Sequence, residues 1–90
     1  MTTKISTIII DSEEQSAEVL NLYLKELDYI AVTDVFTDIV KGYNAILETR
    51  PAFVIIDIST KSELALDLIS KISANHKTCK IIVTSSNYST

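Results

Sequence analysis

The sequence has very few of the residues that form covalent crosslinks and zinc sites. Its 90 residues include one cysteine, Cys79, one histidine, His76, and no tryptophan. One cysteine cannot form an internal disulfide, and one cysteine with one histidine cannot assemble a Cys/His zinc site within a single chain. Cysteine proteases and zinc fingers are therefore excluded. We expect His76 to be a solvated loop residue and Cys79 to be a small buried thiol.

Glycine and proline are equally scarce, with one of each, Gly42 and Pro51. Loops that cradle phosphate groups need several glycines so that backbone amides can approach the ligand, and the chain therefore has no P-loop or dinucleotide fingerprint. An all-β protein with many tight turns would also use more of both residues. Their scarcity favours a fold of alternating strands and helices.

Basic residues are outnumbered, with 8 Lys and Arg against 12 Asp and Glu and a net charge of −4. Nucleic acids and anionic membrane surfaces attract positively charged proteins, so we expect neither to be a direct partner. The longest apolar run near the N-terminus is Ile8–Ile10, far shorter than the roughly 20 residues of a membrane span. We therefore expect a cytoplasmic protein.

The chain does contain enough apolar residues for one α/β domain over residues 1–90, since 47% are hydrophobic and 22% charged. Hydrophobic periodicity predicts four strands and three helices in strict alternation. The strands are predicted over 4–10, 29–35, 52–58 and 80–84, and the helices over 12–28, 38–50 and 62–74. With right-handed crossovers, this order predicts a doubly wound, flavodoxin-like parallel sheet, and we take its strand order as 2-1-3-4.

The sequence also predicts the N-cap residues of two helices and raises a question about its one glycine. Ser12 is expected to cap the first helix, with Gln15 completing a capping box, and Thr37 to cap the second. Gly42 lies inside the second helix, where glycine costs about 1 kcal/mol relative to alanine. Either close packing requires this glycine or the helix is locally weak, and the sequence leaves both alternatives open.

Polar side chains stand at the ends of three predicted strands. Asp11 follows the first strand, Asp57 ends the third and Thr84 ends the fourth. In open α/β sheets ligands bind beyond the carboxyl ends of the strands, where the winding direction reverses, so these side chains are expected to converge on one pocket. Two close carboxylates suit a hard cation such as Mg²⁺. The alternative is that each carboxylate faces water or caps the next helix.

Three segments of the chain together resemble a response-regulator receiver domain of the chemotaxis type. The segments are Ile-Ile-Ile-Asp at 8–11, Pro-Ala-Phe-Val-Ile-Ile-Asp at 51–57 and Ile-Ile-Val-Thr-Ser at 81–85, and they look like the first, third and fourth receiver strands. Their order and spacing fit as well, and the similarity covers all 90 residues. The resemblance implies a two-component signalling module.

The resemblance also implies roles for individual residues. Asp57 matches the phosphoacceptor, Asp11 matches one of the acidic residues that hold Mg²⁺ together with Asp57, and Thr84 matches the switch hydroxyl that contacts the phosphoryl group. Ser12 stands where receivers usually have a second, more directly metal-ligating acid. Magnesium binding is therefore expected to be weakened.

Other departures point to an atypical receiver. Thr60, Lys61 and Ala65 occupy positions where receivers usually have a Met-Pro pair and then a glycine. The last helix, strand and helix of a receiver have no counterpart before the sequence ends at Thr90. This combination looks like the receiver-like domains at the N-termini of tight-adherence pilus assembly proteins, which are MinD-like ATPases.

Two functions follow from these features. The first is an atypical receiver that acts as a signalling or localisation module through protein contacts, in pilus assembly if the second resemblance holds. The alternative is a conventional response-regulator receiver, phosphorylated on Asp57 by a sensor kinase in a Mg²⁺-dependent reaction. We expect no enzymatic activity, because no nucleophile and base are paired in the sequence.

The predicted strand order also has a consequence for association. If the fourth strand ends the sheet, its outer edge carries unpaired backbone groups and one apolar face is uncovered. We expect the chain either to form a homodimer or to be part of a longer protein.

Overall fold

The computed structural model describes residues 4–58 and 62–85. Four strands and three helices alternate through this part of the chain. They are β1 (Ile5–Ile10), α1 (Glu14–Lys25), β2 (Ile30–Phe36), α2 (Ile39–Thr49), β3 (Phe53–Asp57), α3 (Ser62–Asn75) and β4 (Lys80–Thr84). Every predicted element is present, with ends that differ by up to three residues. None of these helices is both long and apolar enough to cross a membrane.

The strands form one parallel sheet in the order β2-β1-β3-β4. This confirms the predicted doubly wound, flavodoxin-like topology, including the position of β2 at an edge. The two central strands, β1 and β3, are the most completely buried, as their continuous β-branched runs predict. Their carboxyl ends lie side by side, since Ile10 pairs with Ile56.

The main hydrophobic core lies between the sheet and helices α2 and α3. It consists of Ile8, Ile10, Ile46, Val54, Ile56, Ala65 and Ile72. Alternate residues of the central strands face the other side of the sheet, where α1 contributes the buried Ala17. Burying one isoleucine side chain stabilises a fold by about 1.5–3 kcal/mol, so the β1 and β3 runs supply much of the driving force.

Gly42 is required by close packing, which resolves the two alternatives left by the sequence. A Cβ atom built at this position would lie 2.6 Å from Cδ1 and 2.7 Å from Cγ1 of Ile10, and 3.3 Å from Cβ of Phe36. Real Cβ atoms essentially never approach other heavy atoms as closely as the two distances to Ile10. Glycine therefore lets α2 approach β1 at the residue that precedes Asp11.

Both predicted N-caps were wrong by one residue. The N-cap of α1 is Glu13 and not Ser12, because the Asp11 carboxylate accepts a hydrogen bond from the Glu13 amide and the chain turns before the helix begins. At this helix start the Ser16 hydroxyl donates a hydrogen bond to the Glu13 carboxylate. The N-cap of α2 is Asp38, whose Oδ1 accepts hydrogen bonds from the amides of Val40 at 2.9 Å and Lys41 at 3.1 Å.

A β-bulge interrupts the pairing of β1 with β2. Thr7 pairs with Val32, and the next residue of β1, Ile8, pairs with Asp34. Thr33 is therefore the extra residue of β2, and its hydroxyl donates a 3.3 Å hydrogen bond to the Thr7 carbonyl. Nothing in the sequence pattern predicted this bulge.

Candidate functional site

The three polar residues predicted to meet at the carboxyl end of the sheet occupy neighbouring strand ends. Asp11 directly follows β1, Asp57 is the last residue of β3, and Thr84 is the last residue of β4. Because β3 lies between β1 and β4, the Asp57 side chain stands between the other two. Parallel pairing brings the strand ends to one edge of the sheet, so two carboxylates and one hydroxyl share one site.

The Thr84 hydroxyl is hydrogen-bonded to the Asp57 carboxylate. Oγ1 of Thr84 donates to Oδ1 of Asp57 at 3.2 Å, and the two residues are register partners in the β3–β4 pair. The Thr84 carbonyl also accepts a 2.8 Å hydrogen bond from the Ile58 amide. The strand pairing therefore holds the hydroxyl against the carboxylate, where it can also contact a group attached to Asp57.

Asp11 is the most buried carboxylate among the described residues, with 6% of its surface exposed. Its Oδ1 accepts a 2.9 Å hydrogen bond from the Glu13 amide. Burial raises the pKa of Asp11 above 3.8, and the negative charges of Asp57 and Glu13 raise it further, whereas the Glu13 amide acts in the opposite direction. The charge on Asp11 is thus only partly compensated by the protein.

The donor set of the site fits Mg²⁺ held mainly by two carboxylates. Magnesium commonly binds one or two protein carboxylates and keeps several waters, and a cation would favour the charged form that burial and carboxylate repulsion disfavour at Asp11. Asp11 and Asp57 would hold it. The side chain of Ser12 is exposed and brings no negative charge, and the described residues contain no group of three or more His, Cys, Asp or Glu that could hold a metal.

Glu13 is the acidic residue that follows Ser12. Its carboxylate accepts a 2.9 Å hydrogen bond from the Ser16 hydroxyl, one turn along α1. The loop that follows Asp57, with Thr60 and Lys61, lies outside the described residues. Ala65 belongs to α3 and is fully buried in the main core.

The expectation that His76 is solvated was wrong. Only 8% of its surface is exposed, and its Nε2 lies 2.7 Å from the Pro51 carbonyl oxygen, which requires a proton on Nε2. Its Nδ1 lies 3.5 Å from an Arg50 guanidinium nitrogen and 3.4 Å from the Thr78 hydroxyl. His76 thus ties two loops together at the end of the sheet opposite Asp57.

Cys79 is half-buried immediately before the last strand, and it packs against the main core. Burial raises the pKa of its thiol above 9.0. A thiol with a raised pKa is a poor nucleophile, which agrees with the structural role predicted for it.

No protein-family model matches the chain, and no curated protein sequence matches it. Solved receiver domains do match its structure. The isolated receiver domain of RcsB from Salmonella enterica serovar Typhimurium, determined with a phosphomimetic, aligns with a TM-score of 0.83 and 20% identity over 97% of this chain. The signal receiver domain of NarL from Mycobacterium tuberculosis aligns over 97% of the chain with a TM-score of 0.85 and 11% identity.

A third structure, the receiver domain of a modulated diguanylate cyclase from Desulfovibrio desulfuricans G20, aligns over 94% of the chain with a TM-score of 0.79 and 19% identity. The chain spans 65% of the RcsB receiver domain, 70% of the NarL domain and 67% of the cyclase receiver. It spans 44% of the longer RcsB chain seen in complex with DNA. These similarities establish the receiver fold that the sequence resemblance predicted.

Proposed function

We propose that this chain is a receiver-type signalling module in which Asp57 accepts a phosphoryl group. The observation that carries this proposal is the convergence of Asp11, Asp57 and Thr84 at the carboxyl end of a receiver fold, with the Thr84 hydroxyl already hydrogen-bonded to Asp57. The sequence alone favoured a module that acts only through protein contacts. The geometry of the cluster gives more weight to phosphorylation.

The chemistry requires little beyond the residues of the cluster. An Asp57 carboxylate oxygen attacks the phosphorus atom of a phosphohistidine or an acyl phosphate, a P–O bond forms, and the bond from phosphorus to the donor breaks as the donor leaves with its electron pair. The Thr84 hydroxyl, which now donates to Asp57, then donates to a phosphoryl oxygen. A bound Mg²⁺ would supply positive charge to offset that of the carboxylates and the phosphoryl group.

The partners of such a module are proteins. Its net charge of −4 opposes direct binding to DNA or RNA, and a kinase that donates a phosphoryl group is required by the proposed reaction. A change at Thr84 is transmitted along β4, whose exposed residues stand next to the site. A second protein can read that change.

A phosphorylation-independent interaction module is the second candidate. It is favoured by Ser12, which replaces an acid of the receiver pattern. It is also favoured by the Asp11 carboxylate, because its Oδ1 already accepts a hydrogen bond from the Glu13 amide. In this role the fold is retained as a docking platform, and localisation to a pilus assembly system is the most specific form of the hypothesis. That form depends on the sequence resemblance to pilus assembly ATPases.

Intact-mass spectrometry separates the two candidates. The chain is incubated with acetyl phosphate and Mg²⁺, and we expect a mass increase of one phosphoryl group that disappears on adding a chelator. Asp57→Asn should abolish the adduct, and Asp28→Asn, at an exposed carboxylate outside the cluster, should retain it. The interaction module is favoured if the unaltered chain forms no phosphoryl adduct and beryllofluoride causes no change in its NMR spectrum.

A further inference from the structure

Helix α2 contacts the candidate site from behind, through the last residue of β1. Gly42 lies so close to Ile10 that an added Cβ would come within 2.6 Å of Cδ1 and 2.7 Å of Cγ1 of that side chain. Ile10 is 2% exposed and belongs to the main core, so its side chain has little room to move away. The next residue along the chain is Asp11. A displacement of Ile10 by α2 would therefore also displace Asp11.

Gly42 also lies against the residue that anchors the Asp11 backbone. A Cβ at position 42 would lie 3.3 Å from Cβ of Phe36, the last residue of β2. The Phe36 carbonyl accepts a 2.9 Å hydrogen bond from the Asp11 amide. The residue that precedes Asp11 and the residue that accepts its amide hydrogen bond thus both pack against the same glycine.

The position of α2 is itself well determined. The Asp38 carboxylate accepts hydrogen bonds from the Val40 and Lys41 amides, and the Asp38 carbonyl accepts a 3.0 Å hydrogen bond from the Gly42 amide. One turn further along the helix, Ile46 is 1% exposed in the main core. Moving the helix to admit a methyl group at position 42 would disturb all of these contacts. We therefore expect the end of β1 to shift as well.

Asp57 is held by contacts that do not involve α2. It pairs with Thr84 of β4, whose hydroxyl donates to its carboxylate. Helix α2 packs against β1 and β2, so a shift of Ile10 changes the position of Asp11 relative to Asp57. Magnesium requires nearly ideal octahedral geometry, and phosphoryl transfer depends on the alignment of the reacting groups. Both would be sensitive to such a change.

We propose that Gly42 is a positioning residue for the phosphorylation site: by letting Ile10 and Phe36 pack closely against α2, it sets the position of Asp11 relative to Asp57. This inference rests on the function proposed above and extends the site to a residue of α2. It also gives a reason for a glycine inside a helix, where alanine would favour helix formation.

The rate of phosphorylation in two variants tests this role. With acetyl phosphate and Mg²⁺, Gly42→Ala should form the phosphoryl adduct about tenfold more slowly than the unaltered chain, since a small misplacement of reacting groups costs this much or more. Ile72→Val is the matched control, because Ile72 is 1% exposed in the same core and its carbonyl accepts from the amide of His76, at the opposite end of the sheet. It should retain the rate. Urea unfolding compares the stability of both variants.

A compensating substitution separates positioning from a general loss of stability. Ile10→Val removes Cδ1, the atom closest to the position of the added methyl group. The double variant Gly42→Ala, Ile10→Val should regain part of the rate that Gly42→Ala loses. The double variant Gly42→Ala, Ile72→Val should regain none, because substitutions at separate sites have additive effects.

Hydrogen exchange provides a measurement that does not depend on phosphorylation. Because the Asp11 amide donates to the Phe36 carbonyl, its exchange rate reports whether the end of β1 has moved. We expect faster exchange at Asp11 in Gly42→Ala than in Ile72→Val. The inference is overturned if Gly42→Ala leaves Asp11 exchange and the adduct rate unchanged, or if Ile72→Val slows the adduct equally. If the unaltered chain forms no adduct, the proposed function fails, and Asp11 exchange alone decides whether Gly42 positions Asp11.

Discussion

At the scale of single residues, the Asp11 carboxylate is held in surroundings that disfavour its charge. The side chain is buried, and it faces the negative charges of Asp57 and Glu13. Its pKa in the folded state is therefore above 3.8, which means that the folded protein binds the proton more tightly than the unfolded chain does. Stability from this group is greatest below pH 3.8 and declines as the pH rises through the raised pKa.

This linkage predicts that Asp11→Asn stabilises the protein at pH 7. The asparagine removes the disfavoured charge, and its Oδ1 can still accept from the Glu13 amide. Urea unfolding should show a higher midpoint than for the unaltered chain at pH 7, and the difference should shrink below pH 3.8. Asp28→Asn, at an exposed carboxylate, should give little change at either pH. A less stable Asp11→Asn protein at pH 7 would contradict the assigned sign.

The sequence was a good guide to residues at strand ends and a poor one for residues in loops. Asp11, Asp57 and Thr84 could be placed together because strand order and parallel direction determine which ends meet. His76 could not be recognised as buried, because its partner is the Pro51 carbonyl, 25 residues away in another loop. Contacts between two loops leave no periodic signal in a sequence.

At the scale of elements, the helix starts show how small errors arise. Thr37 and Asp38 are adjacent and both are good N-cap residues, so propensity alone could not choose between them. The structure uses Asp38, which places Ile39 at the first helical position and Gly42 against Ile10. The Asp38 carboxylate, which accepts the amide hydrogen bonds of Val40 and Lys41, thus marks where the helix begins.

Substitution of the two candidate caps tests this assignment. Asp38→Ala removes the acceptor of the two amide hydrogen bonds and should lower the free energy of unfolding by about 0.5–2 kcal/mol. Thr37→Ala, at the exposed residue just before the cap, should change it by less than about 0.5 kcal/mol. Chemical denaturation of the two variants provides the comparison. Equal losses would mean that Thr37 shares the capping role.

At the scale of the whole molecule, the strand order predicts how local stability is distributed. Strands β1 and β3 are paired on both sides, and β2 is paired on one. Native-state hydrogen exchange should therefore find the slowest amides at Ile9, Ile55 and their neighbours, with faster exchange throughout β2. Faster exchange in β3 than in β2 would contradict this order.

The topology was predictable from the sequence because few arrangements satisfy four buried or half-buried strands with right-handed crossovers. The bulge was not, since Thr33 is an ordinary strand residue and only the pairing of Thr7 with Val32 and of Ile8 with Asp34 reveals it. Twist and local kinks of a sheet result from interactions between strands, and a single strand's pattern does not encode them.

The bulge at Thr33 bears on how the protein tolerates changes in length. Deleting Thr33 would leave the pairs of Ile9 with Val35 and Ile10 with Phe36 intact, so every core side chain would keep its face. The shortened β2 would, however, present a straighter edge to solvent. We therefore expect the deletion of Thr33 to lower the solubility of the protein, through edge-to-edge association of chains, and to leave the fold intact.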